Sequence, residues 1–230
     1  MSRIWQSIIK GYLRLIEPVA ALLVRLRVSP NVLTSIGTLC SIAGGVAFAV
    51  GRIRLGGFII GLCAIFDVLD GVVARRTEQS TVFGAFYDST LDRVADGAVL
   101  GGILYFFATD PVHKNAAIVV LALLGIIGTN LVSYTRARAE GLGIDARIGV
   151  MQRPERVALM SAPQAFFGLA LNGFVLIAVV SILTVTAWVT AVQRILYVRH
   201  ATASPAQTKI RIIGGRKTLS ARLASRRAQS

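Results

Sequence analysis

Acidic residues are scarce in this chain of 230 residues, which has 11 Asp and Glu against 25 Lys and Arg. Cysteine is scarcer still, with two. Cys40 and Cys63 lack any metal-type spacing and lie within apolar runs. That excludes a thiolate metal centre, makes a disulfide framework a poor reading, and leaves both as small buried apolar residues. The first 28 residues lack the clean hydrophobic run of a cleavable signal peptide, because Arg3, Lys10, Arg14 and Glu17 break it up. What the chain has instead is apolar length. A hydrophobic content of 54% and a mean hydropathy of +0.67 predict an all-α polytopic membrane protein, and favour neither a nucleic-acid partner nor a secreted fold. The formal charge of +14 says little about a site, because seven of those charges lie in the tail beyond His200.

The pattern divides the chain into three parts. Residues 1–28 carry Ile4, Ile8, Ile9, Tyr12, Leu13 and Ile16 at helical spacing beside Trp5, as expected of an amphipathic helix lying on the bilayer surface. Residues 29–200 hold six apolar segments: 32–50, 55–75, 83–108, 116–139, 157–171 and 173–197. The fifth is short and interrupted by Pro163. Residues 201–230 are polar and basic and read as a disordered tail drawn to anionic headgroups. With the N-terminus on the cytoplasmic side, only Arg52, Arg54 and Lys114 fall on the far side, so the positive-inside rule orients the domain in the cell membrane with its chemistry facing the cytoplasm.

Against this background five aspartates between positions 67 and 96 stand out. Ionised carboxylates persist in hydrocarbon only beside a polar cavity, a cation or one another. Asp67 and Asp70 share a helical face on the second segment, as do Asp88, Asp92 and Asp96 on the third. If the two faces meet, hard oxygen donors converge in a set that suits Mg²⁺, Mn²⁺ or Ca²⁺. The plainer reading is that Asp67 and Asp70 pair with Arg75, Arg76 or Arg93 and tie helix ends together. Gly71, Ala74 and Gly84 leave room for close helix approach or for a polar ligand. Asn31, after Ser29-Pro30, reads either as a helix N-cap or as part of a ligand-binding turn.

In order, the residues Asp67, Asp70-Gly71, Ala74-Arg75, Gly84, Asp88 and Asp92 spell a signature that resembles the CDP-alcohol phosphotransferase family without departure. The resemblance covers about residues 1–200. It implies a transferase that moves a substituted phosphate from a cytidine diphosphate-linked donor to an alcohol and releases CMP, with no covalent enzyme intermediate. It implies two divalent ions, Mg²⁺ or Mn²⁺, held by Asp67, Asp70, Asp88 and Asp92, with Asp92 also the catalytic base. The donor CDP-diacylglycerol would meet Asn31, Val32, Leu33, Thr34, Gly71, Arg75, Thr81 and Gly84. A homodimer among membrane lipids is implied as well.

The acceptor signal lies in the arginines. Ser133, Arg136, Arg153, Arg156 and Arg194 come from three separate helix ends, and guanidinium groups grip a phosphate through paired hydrogen bonds. These runs resemble the branch of the family whose acceptor is 1D-myo-inositol 3-phosphate, apart from Arg136 where a lysine is usual. Glycerol 3-phosphate is the alternative acceptor, and a membrane cation carrier is the alternative class. The positive-inside rule alone would also collect arginines here, and Arg138, Arg147 and Arg199 read as topological.

Overall fold

The computed structural model describes residues 17–77, 81–151 and 153–203, apart from the side chain of Asp67. The amphipathic stretch expected over residues 1–16 and the basic tail from 204 onward lie outside the described residues, although residues 17–25 are helical. Six helices follow: α1 (Pro30–Ala49), α2 (Ile53–Arg76), α3 (Val82–Thr109), α4 (Ala116–Gly141), α5 (Arg153–Phe167) and α6 (Phe174–Thr202). Four of them, α1, α2, α4 and α6, are long and apolar enough to cross a bilayer. The 28-residue α3 is interrupted by Asp88, Asp92, Arg93 and Asp96. At about 1.5 Å per residue, the 15-residue α5 falls short of the hydrocarbon thickness.

Local chemistry sets the helix starts. Pro30 occupies the first turn of α1 after an extended Ser29. Asn31 therefore falls inside the helix, and the N-cap reading of that residue is wrong. Thr81 caps α3 by accepting the Gly84 N–H at 2.9 Å, and Asn115 caps α4 by accepting from Ala117 and Ile118. The fifth segment starts at Arg153 and ends at Phe167, four residues earlier at each end than the hydropathy pattern suggested. Its first turn is polar, with Pro154 at the second helical position. Its chain then leaves through left-handed Gly168, Leu171, Asn172 and Gly173.

Packing joins the helices into a closed ring in the order α1, α2, α5, α6, α4, α3 and back to α1. Small residues allow the closest approaches. A Cβ on Gly102 of α3 would lie 2.0 Å from the Gly45 carbonyl oxygen of α1, and one on Gly57 of α2 would lie 2.4 Å from the Ala165 nitrogen of α5. Gly102 thus serves contact within this chain, while Gly97 and Gly101 face nothing within 4 Å among the described residues. One half of the ring is filled by Phe48, Ile60, Ile103, Phe106, Phe107, Leu176 and Val180. Many large apolar side chains, among them Leu39, Phe58, Leu62, Val120 and Ile182, are exposed on the outside, as expected of a surface solvated by lipid. Cys40 and Cys63 are free thiols. The other half of the ring is polar and open.

Candidate active site

Two cavities meet on α3. The smaller, about 190 Å³, lies between the ends of α1, α2 and α3 and is lined by Asn31, Thr34, Asp70, Gly71, Thr81, Gly84 and Asp88, among others. No basic side chain lines it among the described residues, and every charged or polar side chain there offers oxygen or an amide. Asp70 is nearly buried and its Oδ2 accepts a 2.9 Å hydrogen bond from the Thr34 hydroxyl, which fixes the carboxylate's rotamer. A Cβ on Gly84 would lie 3.1 Å from the Thr81 hydroxyl and 3.4 Å from Asn31 Oδ1, so glycine keeps this corner open. Arg75 folds back over Gly71, where a Cβ would meet its Nη1 at 3.3 Å.

The larger cavity, about 700 Å³, opens between α3, α4, α5 and α6. Asp88 and Ala85 belong to the walls of both cavities, so a ligand in one abuts a ligand in the other. Asp88 and Asp92 supply its acidic side, and Ser133, Arg136, Arg153, Arg156 and Arg194 all line the rest. Each arginine has a partner that holds it in place. Arg153 Nη2 lies 2.5 Å from Asp92 Oδ1, Arg93 lies 3.6 Å from Asp92, and Arg156 lies 3.3 Å from Asp96. Arg136 pairs with Glu140 one helical turn on, at 2.9 Å. Arg194 Nε donates to the Ile148 carbonyl at 2.9 Å, and its Nη1 donates to the Val132 carbonyl. The loop between α4 and α5 is thereby pinned to α6, with Thr190 adding a hydrogen bond from the Val150 N–H at 3.2 Å.

Of the residues expected from sequence, Asn31, Thr34, Gly71, Thr81 and Gly84 come together around the smaller cavity with Asp70 and Asp88. Val32 is exposed and Leu33 is buried against Leu69 and Val73, so neither side chain lines it. Asp67 stands on α2 one turn before Asp70, with its side chain outside the described residues. Arg147, read as topological, stands exposed at the rim of the larger cavity, 3.6 Å from Asp145. Arg93 and Asp96 had no assigned role, yet both join the charged cluster. Their signal was the i,i+4 spacing of Asp96 from Asp92 and the intramembrane position of Arg93. The simple tie of Asp70 to Arg76 or Arg93 is not what forms: Arg76 pairs with Glu17, and Arg93 with Asp92.

The donor set fits a hard divalent cation. Asp70 on α2 and Asp88 on α3 face one cavity that, among the described residues, no cationic side chain lines, while Asp92 follows one turn away. Among the described residues no three Asp, Glu, His or Cys groups close into a metal cage, and Asp67 is the signature carboxylate that stands outside that description.

The sequence profile of the CDP-alcohol phosphatidyltransferase family matches residues 27–196. A phosphatidylinositol phosphate synthase of Mycobacterium marinum is 34% identical over 187 residues, 81% of this chain and 77% of that protein. Crystal structures of the Mycobacterium tuberculosis phosphatidylinositol phosphate synthase share the fold. The one with CDP-DAG bound has a TM-score of 0.75 at 31% identity, covering 84% of this chain and 96% of that one. The one in complex with manganese and citrate has a TM-score of 0.73 at 32% identity, covering 83% and 90%. With the profile spanning both cavities and every helix around them, this chain is a membrane enzyme of the CDP-alcohol phosphatidyltransferase family.

Proposed function

We propose that this chain transfers the phosphatidyl group of CDP-diacylglycerol to 1D-myo-inositol 3-phosphate, releasing CMP and forming phosphatidylinositol phosphate. The observation that carries this reading is the shared wall. A cation-suited cavity of about 190 Å³ and an arginine-rimmed cavity of about 700 Å³ meet at Asp88, one turn from Asp92. A nucleotide diphosphate lipid and a phosphorylated alcohol need that pairing, because the reacting phosphorus must sit between them. The names of the relatives support the choice of donor and acceptor.

Asp67, Asp70, Asp88 and Asp92 would hold two Mg²⁺ or Mn²⁺ ions, which when bound neutralise the diphosphate and stabilise the attacking and leaving oxygens. Thr34 holds Asp70 in place through its hydroxyl. Gly71 and Gly84 keep space for the nucleotide, and Arg75 at the rim donates to phosphate. Asp92 takes the proton from the acceptor hydroxyl. The acceptor oxygen then forms the new bond to the phosphatidyl phosphorus as the bond to CMP breaks, and CMP leaves with the electron pair. Arg136, Arg153, Arg156 and Arg194 bind the acceptor's phosphate with Ser133. The 2.5 Å contact of Arg153 with Asp92 supports a phosphate site one side chain away from the base.

The acyl chains of the donor remain in the bilayer beside the ring. We read residues 29–200 as the six-helix transmembrane catalytic domain, seated in the cell membrane with the arginine rim toward the cytoplasm and paired as a homodimer. The test is CMP release by the purified protein from CDP-diacylglycerol with a panel of alcohols and Mg²⁺ or Mn²⁺. Metal-dependent turnover with inositol 3-phosphate, and much less with free inositol, is the expected result. Turnover with glycerol 3-phosphate alone would replace the acceptor, and ion flux in sealed vesicles without CMP release would replace the class.

A further inference from the structure

In the ring, α3 packs on α1 and α4 while α5 packs on α2 and α6, so the backbones of these two helices stay apart across the interior. Two ion pairs span the gap, Asp92 to Arg153 and Asp96 to Arg156, matching an i,i+4 step on α3 to an i,i+3 step on α5. The first pair belongs to the reaction. The second is set one turn deeper. Asp96 does not line the large cavity. It lines a small void of about 50 Å³ on the ring axis, to which all six helices contribute, with Ser41, Cys63 and Thr129 among its walls. Arg156 lines both spaces.

We infer that Asp96 is a positioning residue: from behind the cavity wall it holds the Arg156 guanidinium in place, so that Arg156 presents its remaining donors to the acceptor's phosphate. This rests on the acceptor reading above and extends it to a residue that touches neither substrate. Arg156 is 8% exposed, and a charge so buried costs several kcal/mol unless it is paired. Asp96 supplies the pairing without saturating the group. Arg156 Nη1 faces Asp96 at 3.3 Å, while its Nε makes no hydrogen bond among the described residues, so the Asp96 pair leaves part of the guanidinium's donor capacity unused. Asp96 also competes for Arg156 with Asp92, the next carboxylate along the same face of α3. Without Asp96, Arg156 has reason to turn to Asp92, which already has Arg153 at 2.5 Å and Arg93 at 3.6 Å. A small void beside the pair, roomy enough for water, lets the pair stay charged in the bundle interior.

The test is steady-state kinetics on the full-length protein with CDP-diacylglycerol and inositol 3-phosphate, for Asp96→Asn, Arg156→Gln, the double variant and Asp96→Glu. Asp96→Asn should raise the acceptor KM about 10-fold while the donor KM and kcat move less than about threefold. On an Arg156→Gln background the same change should add less than about twofold, and Asp96→Glu should recover most of the loss. A loss spread evenly over both substrates, or effects of Asp96 and Arg156 that multiply, would overturn the positioning role. If Arg156→Gln leaves the acceptor KM unchanged, the acceptor reading itself fails. If Arg156→Gln raises that KM and Asp96→Asn does not, only the inference about Asp96 fails. Should Asp96→Asn not fold, as judged by metal-dependent donor binding, the cycle is run with Asp96→Glu and Arg156→Lys. A selective, non-additive rise in acceptor KM supports the role, and an additive or parallel loss overturns it.

Discussion

The two cavities that meet at Asp88 are built on opposite plans. The smaller is made from neighbouring stretches of chain, the ends of α1, α2 and α3, and is shaped by what is missing: side chains at Gly71 and Gly84, and any basic group on its wall. The larger is made from four helices and the α4–α5 loop and is shaped by charge, with each lining arginine held by a carboxylate or a backbone carbonyl. The first plan creates a space whose charge a cation completes. The second pre-organises cations that an anion completes, at the cost of tethering each one. On the proposed reading the donor depends on space and carboxylates, the acceptor on tethered guanidinium groups.

Substitutions can break that contrast, and the largest effect belongs at the junction. Asp92→Asn removes the proposed proton acceptor, one turn from the shared Asp88, and turnover should fall about 1,000-fold or more. Near-normal CMP release would remove Asp92 from the mechanism. Arg194→Ala strips two hydrogen bonds from a buried guanidinium, each worth about 1.5–3 kcal/mol, and frees the loop at Ile148. Acceptor KM should rise about 10- to 100-fold with the donor KM little changed. Equal losses for both substrates would mean that the loop supports the whole fold. Gly84→Val fills the donor corner beside Thr81 and Asn31 and should raise donor KM about 10-fold without moving acceptor KM.

Smaller effects sharpen the boundary of the site. Thr81→Ala removes the N-cap of α3 and should cost about 1 kcal/mol, visible as a lower melting temperature in detergent. Asp110, in the turn after α3 at the opposite end, lies far from both cavities. The backbone N–H of His113 is the main group holding its carboxyl below the usual range, helped by the His113 ring and the Val112 N–H. A folded pKa below the unfolded one gives stability that is present above the unfolded value and fades as pH falls through the folded one. Asp110→Asn should therefore flatten the acid side of the stability curve slightly and leave both KM values alone. A change in either KM would show that this turn communicates with the site.

How much of this was legible in the chain follows the same division. The donor side could be read because Asp67 through Asp92 lie close in sequence on two helices joined by a short link, so helical spacing alone puts each carboxylate pair on one face of its own helix. Within it, the turn holding Val32 and Leu33 could be recognised, but not that their side chains point away from the cavity. Hydropathy located every helix, and misplaced the ends of α5 because its first turn is polar and charged where it borders the cavity. On the acceptor side the arginines were visible as residue types at helix ends, but their partners were not. Asp96 with Arg156, Asp92 with Arg153, and Arg194 with Ile148 are distant in sequence and meet only when the ring closes, so no local pattern carries them.

The most direct test of two abutting cavities with separate duties is to measure both KM values on Gly84→Val and Arg194→Ala under identical metal and lipid conditions. A crossed result is expected, with the glycine variant impaired for CDP-diacylglycerol alone and the arginine variant for inositol 3-phosphate alone. Parallel impairment of both substrates in both variants would contradict the division of the site on which the account depends.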